Sequence, residues 1–121
     1  MITRTGQASW QGTFKAGKGA LGVGSGNCQG EFKLASRFDT GQGTNPEEMI
    51  GAAHAGCFSM SLSNLLGEAG LEPVYIYTKA FVNLDKSGDG YRITSIKLQT
   101  EGEVAGLDKD EFRAFAGKAK E

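Results

Sequence analysis

The chain has 121 residues, 39% hydrophobic and 22% charged, which suits one folded domain with one core and argues against disorder. Its 13 basic and 14 acidic residues leave a net charge of −1, so there is no electrostatic case for nucleic acid or an anionic membrane as a partner. No apolar run approaches the ~20 residues of a membrane span, and Met1–Gly6 lacks the apolar centre of a signal peptide, so a cytoplasmic location is expected.

Residues 7 to 38 read as a β-meander. Trp10, Gly12 and Phe14 alternate with polar positions, and Phe32, Leu34, Ser36 and Phe38 alternate with Glu31, Lys33, Ala35 and Arg37. Gly22 to Asn27 breaks the run as a loop.

Residues 45 to 69 predict a long helix. Asn45 suits the N-cap, Pro46 the first helical position and Glu48 the third, and Gly70 ends the run. Between Met49 and Leu66 there is no Asp, Glu, Lys or Arg. A helix without a charged face is expected to be buried. Its many small residues, among them Gly51, Ala52, Ala53, Ala55 and Gly56, allow another backbone to approach. A chain this short cannot wrap ~35 Å of helix on all sides, so a second subunit is expected to cover part of it.

Residues 74 to 85 predict a strand with Val74, Ile76, Thr78, Ala80, Val82 and Leu84 on one face. Asp85 to Gly90 is a turn, and Tyr91 to Glu101 returns as the second arm of a hairpin. The apolar phase switches between Ile93 and Ile96, which predicts a bulge there or burial on both sides. Residues 108 to 120 predict a second helix, with Asp108 and Glu111 as a capping box and Phe112, Phe115 and Ala119 as its apolar stripe. The expected fold class is α+β.

Three cofactor-like patterns fail on their context. Gly12 to Lys18 matches most of a phosphate-binding loop, but Gly19 stands where Ser or Thr must hold magnesium, and no helix follows. It reads as a lysine-bearing turn. Asp85 to Gly90 imitates the start of a calcium loop, but Ile96 replaces the closing acid. Gly22 to Gly26 lacks the dinucleotide spacing. Two distant cysteines and one histidine make no zinc pattern. No cofactor and no metal are expected.

Cys57 is the residue with chemistry to offer. In a reducing compartment its thiol is free, yet a buried cysteine without help is inert. The helix dipole fades beyond the first turn and does not reach it. His54, three residues earlier, shares its helix face. Glu47 begins the helix, and Arg37 lies on the preceding strand pattern. A guanidinium by the sulfur would favour the thiolate, and a carboxylate would hold that guanidinium in place. Taken alone, Arg37 reads as a strand surface residue. Glu47 and Cys57 are ten residues apart, ~15 Å along one helix, so Glu47 reaches only the Cys57 of a partner whose helix runs the opposite way.

Gly43-Thr44-Asn45-Pro46-Glu47-Glu48, Ile50-Gly51-Ala52-Ala53-His54-Ala55 and Cys57-Phe58-Ser59-Met60 resemble the signature helix of the OsmC/Ohr hydroperoxide reductases, closer to the OsmC branch of osmotically inducible proteins. Gly6-Gln7-Ala8, Trp10, Arg37-Phe38 and Gly67-Glu68-Ala69-Gly70 support this, and the resemblance covers essentially the whole chain. It implies an intertwined α+β homodimer with antiparallel central helices and sites at the subunit interface. It implies a peroxidase of oxidative and osmotic stress defence that reduces organic hydroperoxides, and hydrogen peroxide too, with an external thiol as reductant. By position the peroxidatic cysteine is Cys57, the arginine Arg37 and its partner carboxylate Glu47. Family members carry a second, resolving cysteine beyond the point matching Glu121. Residues 1–121 therefore read as a single OsmC-like domain truncated before that segment, and Cys28 does not match the missing residue.

Two other functions are compatible with the residues. One is a Cys-His acyl hydrolase with His54 as base, which lacks an orienting group and an evident oxyanion hole. The other is a non-catalytic dimer that binds a hydrophobic ligand at its interface.

Overall fold

The computed structural model describes residues 1–120. The last residue of the span read as one domain, Glu121, lies outside the described residues. The chain forms two compact units, Met1–Met49 and Ile50–Glu121.

In the first unit, β1 (Gly6–Gln11), β2 (Lys18–Val23) and β3 (Gln29–Phe32) form an antiparallel sheet in that order. Trp10 pairs with Gly19, and Gly19 with Phe32. This register puts a glycine between two large rings. A β-carbon at Gly19 would stand 2.5 Å from the Phe32 ring and 2.7 Å from that of Trp10. With hydrogen there instead, the two rings close to 5.4 Å between centroids at an interplanar angle of 50°, a tilted pair of the favourable kind. The loop between β2 and β3 covers residues 24–28, starting later than expected because β2 runs on through Val23 and ending at Cys28, just before β3.

The meander stops earlier than its alternation predicts. Residues Leu34–Phe38 form a short helix, α1, and Arg37 therefore sits on a helix and not on a strand. The side chain of Ser36 decides this. Its hydroxyl accepts from the Lys33 amide (2.8 Å) and donates to the Lys33 carbonyl (3.0 Å), closing the first turn. The Arg37 amide then bonds the Lys33 carbonyl, and the Asp39 amide that of Ala35. Over five residues, period-two alternation does not separate strand from helix, and a local side-chain bond settles it.

Helix α2 (Pro46–Glu68) begins as the sequence dictates. Asn45 Oδ1 accepts from the Glu48 amide at 2.7 Å. It ends in a Schellman motif: Gly70 adopts φ +80°, its amide bonds Gly67, and the Leu71 amide bonds Leu66 at 2.9 Å.

In the second unit α2 is joined by β4 (Pro73–Ser87), β5 (Gly90–Val104) and α3 (Lys109–Ala119). The two strands form a hairpin joined by Gly88 and Asp89, with Gly88 at φ +64°, as a tight primed turn requires at its first position. The strands thus run further into the Asp85–Gly90 segment than expected. Asn83 pairs with Ser95 but Leu84 with Ile93, leaving Thr94 as a bulge where the apolar phase switches. A second irregularity between Pro73 and Tyr75 takes Val74 off the inner face, so that it is exposed while Ile76 to Leu84 alternate as expected. Phe58, Leu62, Leu66 and Val104 form the core, with Ile76, Leu98, Phe112 and Phe115 packed against them. The Asp108–Glu111 capping box of α3 is present, with bonds of 2.8 and 3.2 Å.

One expectation is corrected. Helix α2 is not buried all round within a single chain. Gly51, Ala55, Phe58, Leu62 and Leu66 form its buried stripe, spaced by three or four residues, while His54, Gly56, Cys57, Met60 and Ser61 are exposed. One chain supplies packing partners for one side of the helix only. Met60 is 77% exposed.

Candidate functional site

The first unit joins Arg37 to Glu47. Asn45 ties the two helices together, because its Nδ2 donates to the Ser36 carbonyl at 3.1 Å while its Oδ1 caps α2. That tether sets the end of α1 beside the start of α2. Arg37 Nε donates to Glu47 Oε1 at 2.9 Å and Nη2 to Oε2 at 3.2 Å. The fork-to-fork geometry fixes the guanidinium plane as well as its position. The guanidinium also lies 4.8 Å from the Phe38 ring centroid, within cation–π range. The Glu47 side chain is 12% exposed and that of Arg37 35%. The carboxylate is therefore the sheltered partner, and one side of the guanidinium stays open.

Beside this pair is a hollow of about 430 Å³, walled by Trp10, Phe14, Phe32, Leu34 and Phe38 and bordered by Arg37. Phe14 is 63% exposed, so part of the wall is an open aromatic surface.

The second unit holds Cys57. Its thiol is free and exposed. With His54, Phe58, Ser61, Leu98 and Ala119 it lines a second hollow of about 380 Å³. His54 and Cys57 thus share a face, as their spacing predicts, and also line one cavity. Cys28 is also free and exposed. Its carbonyl accepts from the Val23 amide at 3.1 Å, closing the β2–β3 turn. Among the described residues no group of three or more His, Cys, Asp or Glu side chains is placed to hold a metal ion, and no helix is long and apolar enough to cross a membrane.

Comparison with known proteins bears on this arrangement. The family model for OsmC-like proteins matches residues 39–121. Over 120 residues the chain is 49% identical to the peroxiredoxin OsmC of Escherichia coli (strain K12), covering 98% of this chain and 84% of that protein. The chain belongs to the OsmC family. The peroxiredoxin OsmC of Shigella flexneri matches to the same extent. An OsmC organic hydroperoxide resistance protein from Legionella pneumophila shares the fold at 19% identity, with a TM-score of 0.69 over 98% of this chain and 84% of that one. An OsmC-like protein of unknown function from Vibrio cholerae does so at 13% identity, with a TM-score of 0.72 over 98% and 88%.

In this OsmC family member the Arg37–Glu47 contact is the one the family resemblance implied, although Arg37 reaches it from a helix and not from a strand. Two features went unread. One is the aromatic hollow, whose walls come from β1, the following turn, β3 and α1. Its aromatic residues were visible in the alternation, but their convergence depends on the β1–β2–β3 register. The other is a hydroxyl chain, in which Ser59 donates to Thr78 Oγ1 at 2.7 Å and Thr78 meets Thr100 at 3.0 Å. It ties α2 to both strands of the hairpin, and no local motif announces it.

Proposed function

We propose that this protein is a thiol-dependent peroxidase of stress defence that reduces organic hydroperoxides, and hydrogen peroxide as well, at Cys57. The observation that carries the reading is the two-pronged Arg37–Glu47 pair at the edge of an aromatic hollow. A cation fixed in orientation and open on one side is suited to a polar O–O group, and the aromatic wall to the organic group attached to it. The 49% identity to a peroxiredoxin over nearly the whole chain supports the same chemistry.

The Cys57 thiolate attacks the outer oxygen of the hydroperoxide. The S–O bond forms as the O–O bond breaks, leaving Cys57 as a sulfenic acid and releasing an alkoxide, which takes up a proton to become the alcohol. Sulfur is oxidised by two electrons and the peroxide reduced by two. Arg37 stabilises the thiolate and the charge growing on the leaving oxygen, and Glu47 orients Arg37. Two equivalents of an external thiol then return the sulfenic acid to the thiol, with water and a disulfide as products. Free cysteines at both positions suit the reducing cytoplasm.

The working unit is a homodimer. Ten residues of α2 separate Glu47 from Cys57, ~15 Å along its axis. An antiparallel α2 from a second copy would bring the thiol of one chain to the Arg37–Glu47 pair of the other. The exposed, uncharged face of α2 with Cys57, Gly56 and Met60 supports such packing.

The test is intact mass after one equivalent of cumene hydroperoxide with a dimedone-type trap present. The expected result is one adduct, on Cys57, absent in Cys57→Ser. A folded protein that forms no adduct and consumes no peroxide would refute the reading.

A further inference from the structure

The lysine-bearing turn after β1, set aside as a nucleotide site, turns out to border the aromatic hollow. The turn is held by the Gly17 amide on the Thr13 carbonyl at 2.7 Å and by the Ala16 amide on Thr13 Oγ1 at 3.1 Å. A side chain at Gly17 would strike the carbonyl oxygens of Gln11 and Thr13, so glycine is what allows so tight a turn. The turn carries Phe14 into the wall of the hollow and places Lys15 and Lys18 on adjoining surfaces.

Lys33 lines the hollow itself and both of its neighbours. It is the extended N-cap residue of α1, four residues before Arg37, and both residues line the same hollow. Among the described residues the salt bridge on this surface is Arg37–Glu47, so the charge of Arg37 is already balanced. Lys15, Lys18 and Lys33 are not engaged in this way. The acid on the same surface is Asp39, which shares one neighbouring hollow with Lys15 and Lys33 and accepts from the Thr40 amide at 2.8 Å. An apolar pocket lined both by a cation paired to its own carboxylate and by an ammonium without a salt bridge is complementary to an apolar molecule with a peroxide at one end and a negative charge at the other.

Resting on the peroxidase reading above, we propose that Lys33 is a specificity-determining residue that favours anionic organic hydroperoxides, those bearing a carboxylate, over neutral ones with the same apolar body. The Lys33 ammonium pairs with the carboxylate while the aromatic walls hold the hydrocarbon and Arg37 faces the O–O group. The side chain is exposed, and Lys33 serves the α1 turn through its backbone amide and carbonyl. Substituting the side chain therefore leaves those bonds in place.

The experiment compares kcat/KM for cumene hydroperoxide and for its para-carboxylate derivative, in the wild type, Lys33→Met, Lys33→Glu and Lys33→Arg, at low and high salt. An exposed ion pair supports a preference for the acid of roughly two- to fivefold at low salt, declining as salt screens it. The ratio should fall to about one or below in Lys33→Met, fall further in Lys33→Glu, and return in Lys33→Arg. A wild-type ratio of one, or a ratio that Lys33→Met and Lys33→Glu leave unchanged, overturns the proposal, and so does an equal loss on both substrates. If neither hydroperoxide oxidises Cys57 in the wild type, the peroxidase reading itself has failed. If both are reduced and the ratio ignores Lys33, only the specificity assignment has.

Discussion

Arg37 gives two donors to one carboxylate, and its plane is set by that carboxylate and by the Phe38 ring. A lysine at this position could supply the charge but not the orientation, since an ammonium has no planar fork. Removing the guanidinium should therefore affect rate far more than stability. In Arg37→Ala the rate of Cys57 oxidation should drop on the order of 100-fold, the scale of losing a donor to a developing oxyanion. The stability cost should stay near ~1 kcal/mol, because the pair is partly open to solvent. Stopped-flow oxidation and urea titration of the same variant check both. Equal oxidation rates in variant and wild type would remove Arg37 from the mechanism. In Arg37→Lys, a rate much closer to Arg37→Ala than to the wild type is expected if orientation matters as argued.

At the scale of elements, helix α2 is held by its ends and by one stripe. Gly70 at φ +80° closes the Schellman motif, and an L side chain there meets the steric penalty of the left-handed region, about 1 kcal/mol. Gly70→Ala should lower stability by that order. Leu62 and Leu66 are fully buried in the stripe. Leu62→Ala should cost ~2–5 kcal/mol through lost burial and a cavity. Both are read from urea midpoints at unchanged m-value. A Leu62→Ala cost below that of Gly70→Ala would contradict the assignment of the core. The hairpin shows the same economy of cause: one extra residue, Thr94, rephases β5, and its hydroxyl donates to Asp85 Oδ2 at 2.9 Å across the strands.

For the whole molecule, the open face of α2 is the main consequence of the fold. A face with Met60 at 77% exposure and no charged residue between Met49 and Leu66 is poorly suited to water. The proposed dimer covers it. Sedimentation at micromolar concentration should give about twice the chain mass of 12.8 kDa. Met60→Glu, which would place a charge in that contact, should shift the population toward monomer and slow Cys57 oxidation together. A wild-type monomer at that concentration, with full peroxidase activity, would contradict the shared site.

Much of this protein follows from local chemistry. Asn45, Pro46, Glu48 and Gly70 delimit α2, Asp108 and Glu111 start α3, and the phase switch near Ile93 marks a bulge, because caps and periodicity act within a few residues. The family resemblance covers essentially the whole chain, and its specific motif is likewise the local run of residues from Gly43 to Met60. What the tertiary structure decided is what depends on residues distant in sequence. The Trp10–Gly19–Phe32 register gathers the aromatic wall, and the Asn45 tether to Ser36 brings Arg37 to Glu47 from a helix that alternation presents as a strand. The α2 sequence is apolar or small on every side. Only packing shows which stripe the chain itself buries and which face, with Cys57 on it, is left open: a helix without a charged face has no polar side to mark its own orientation.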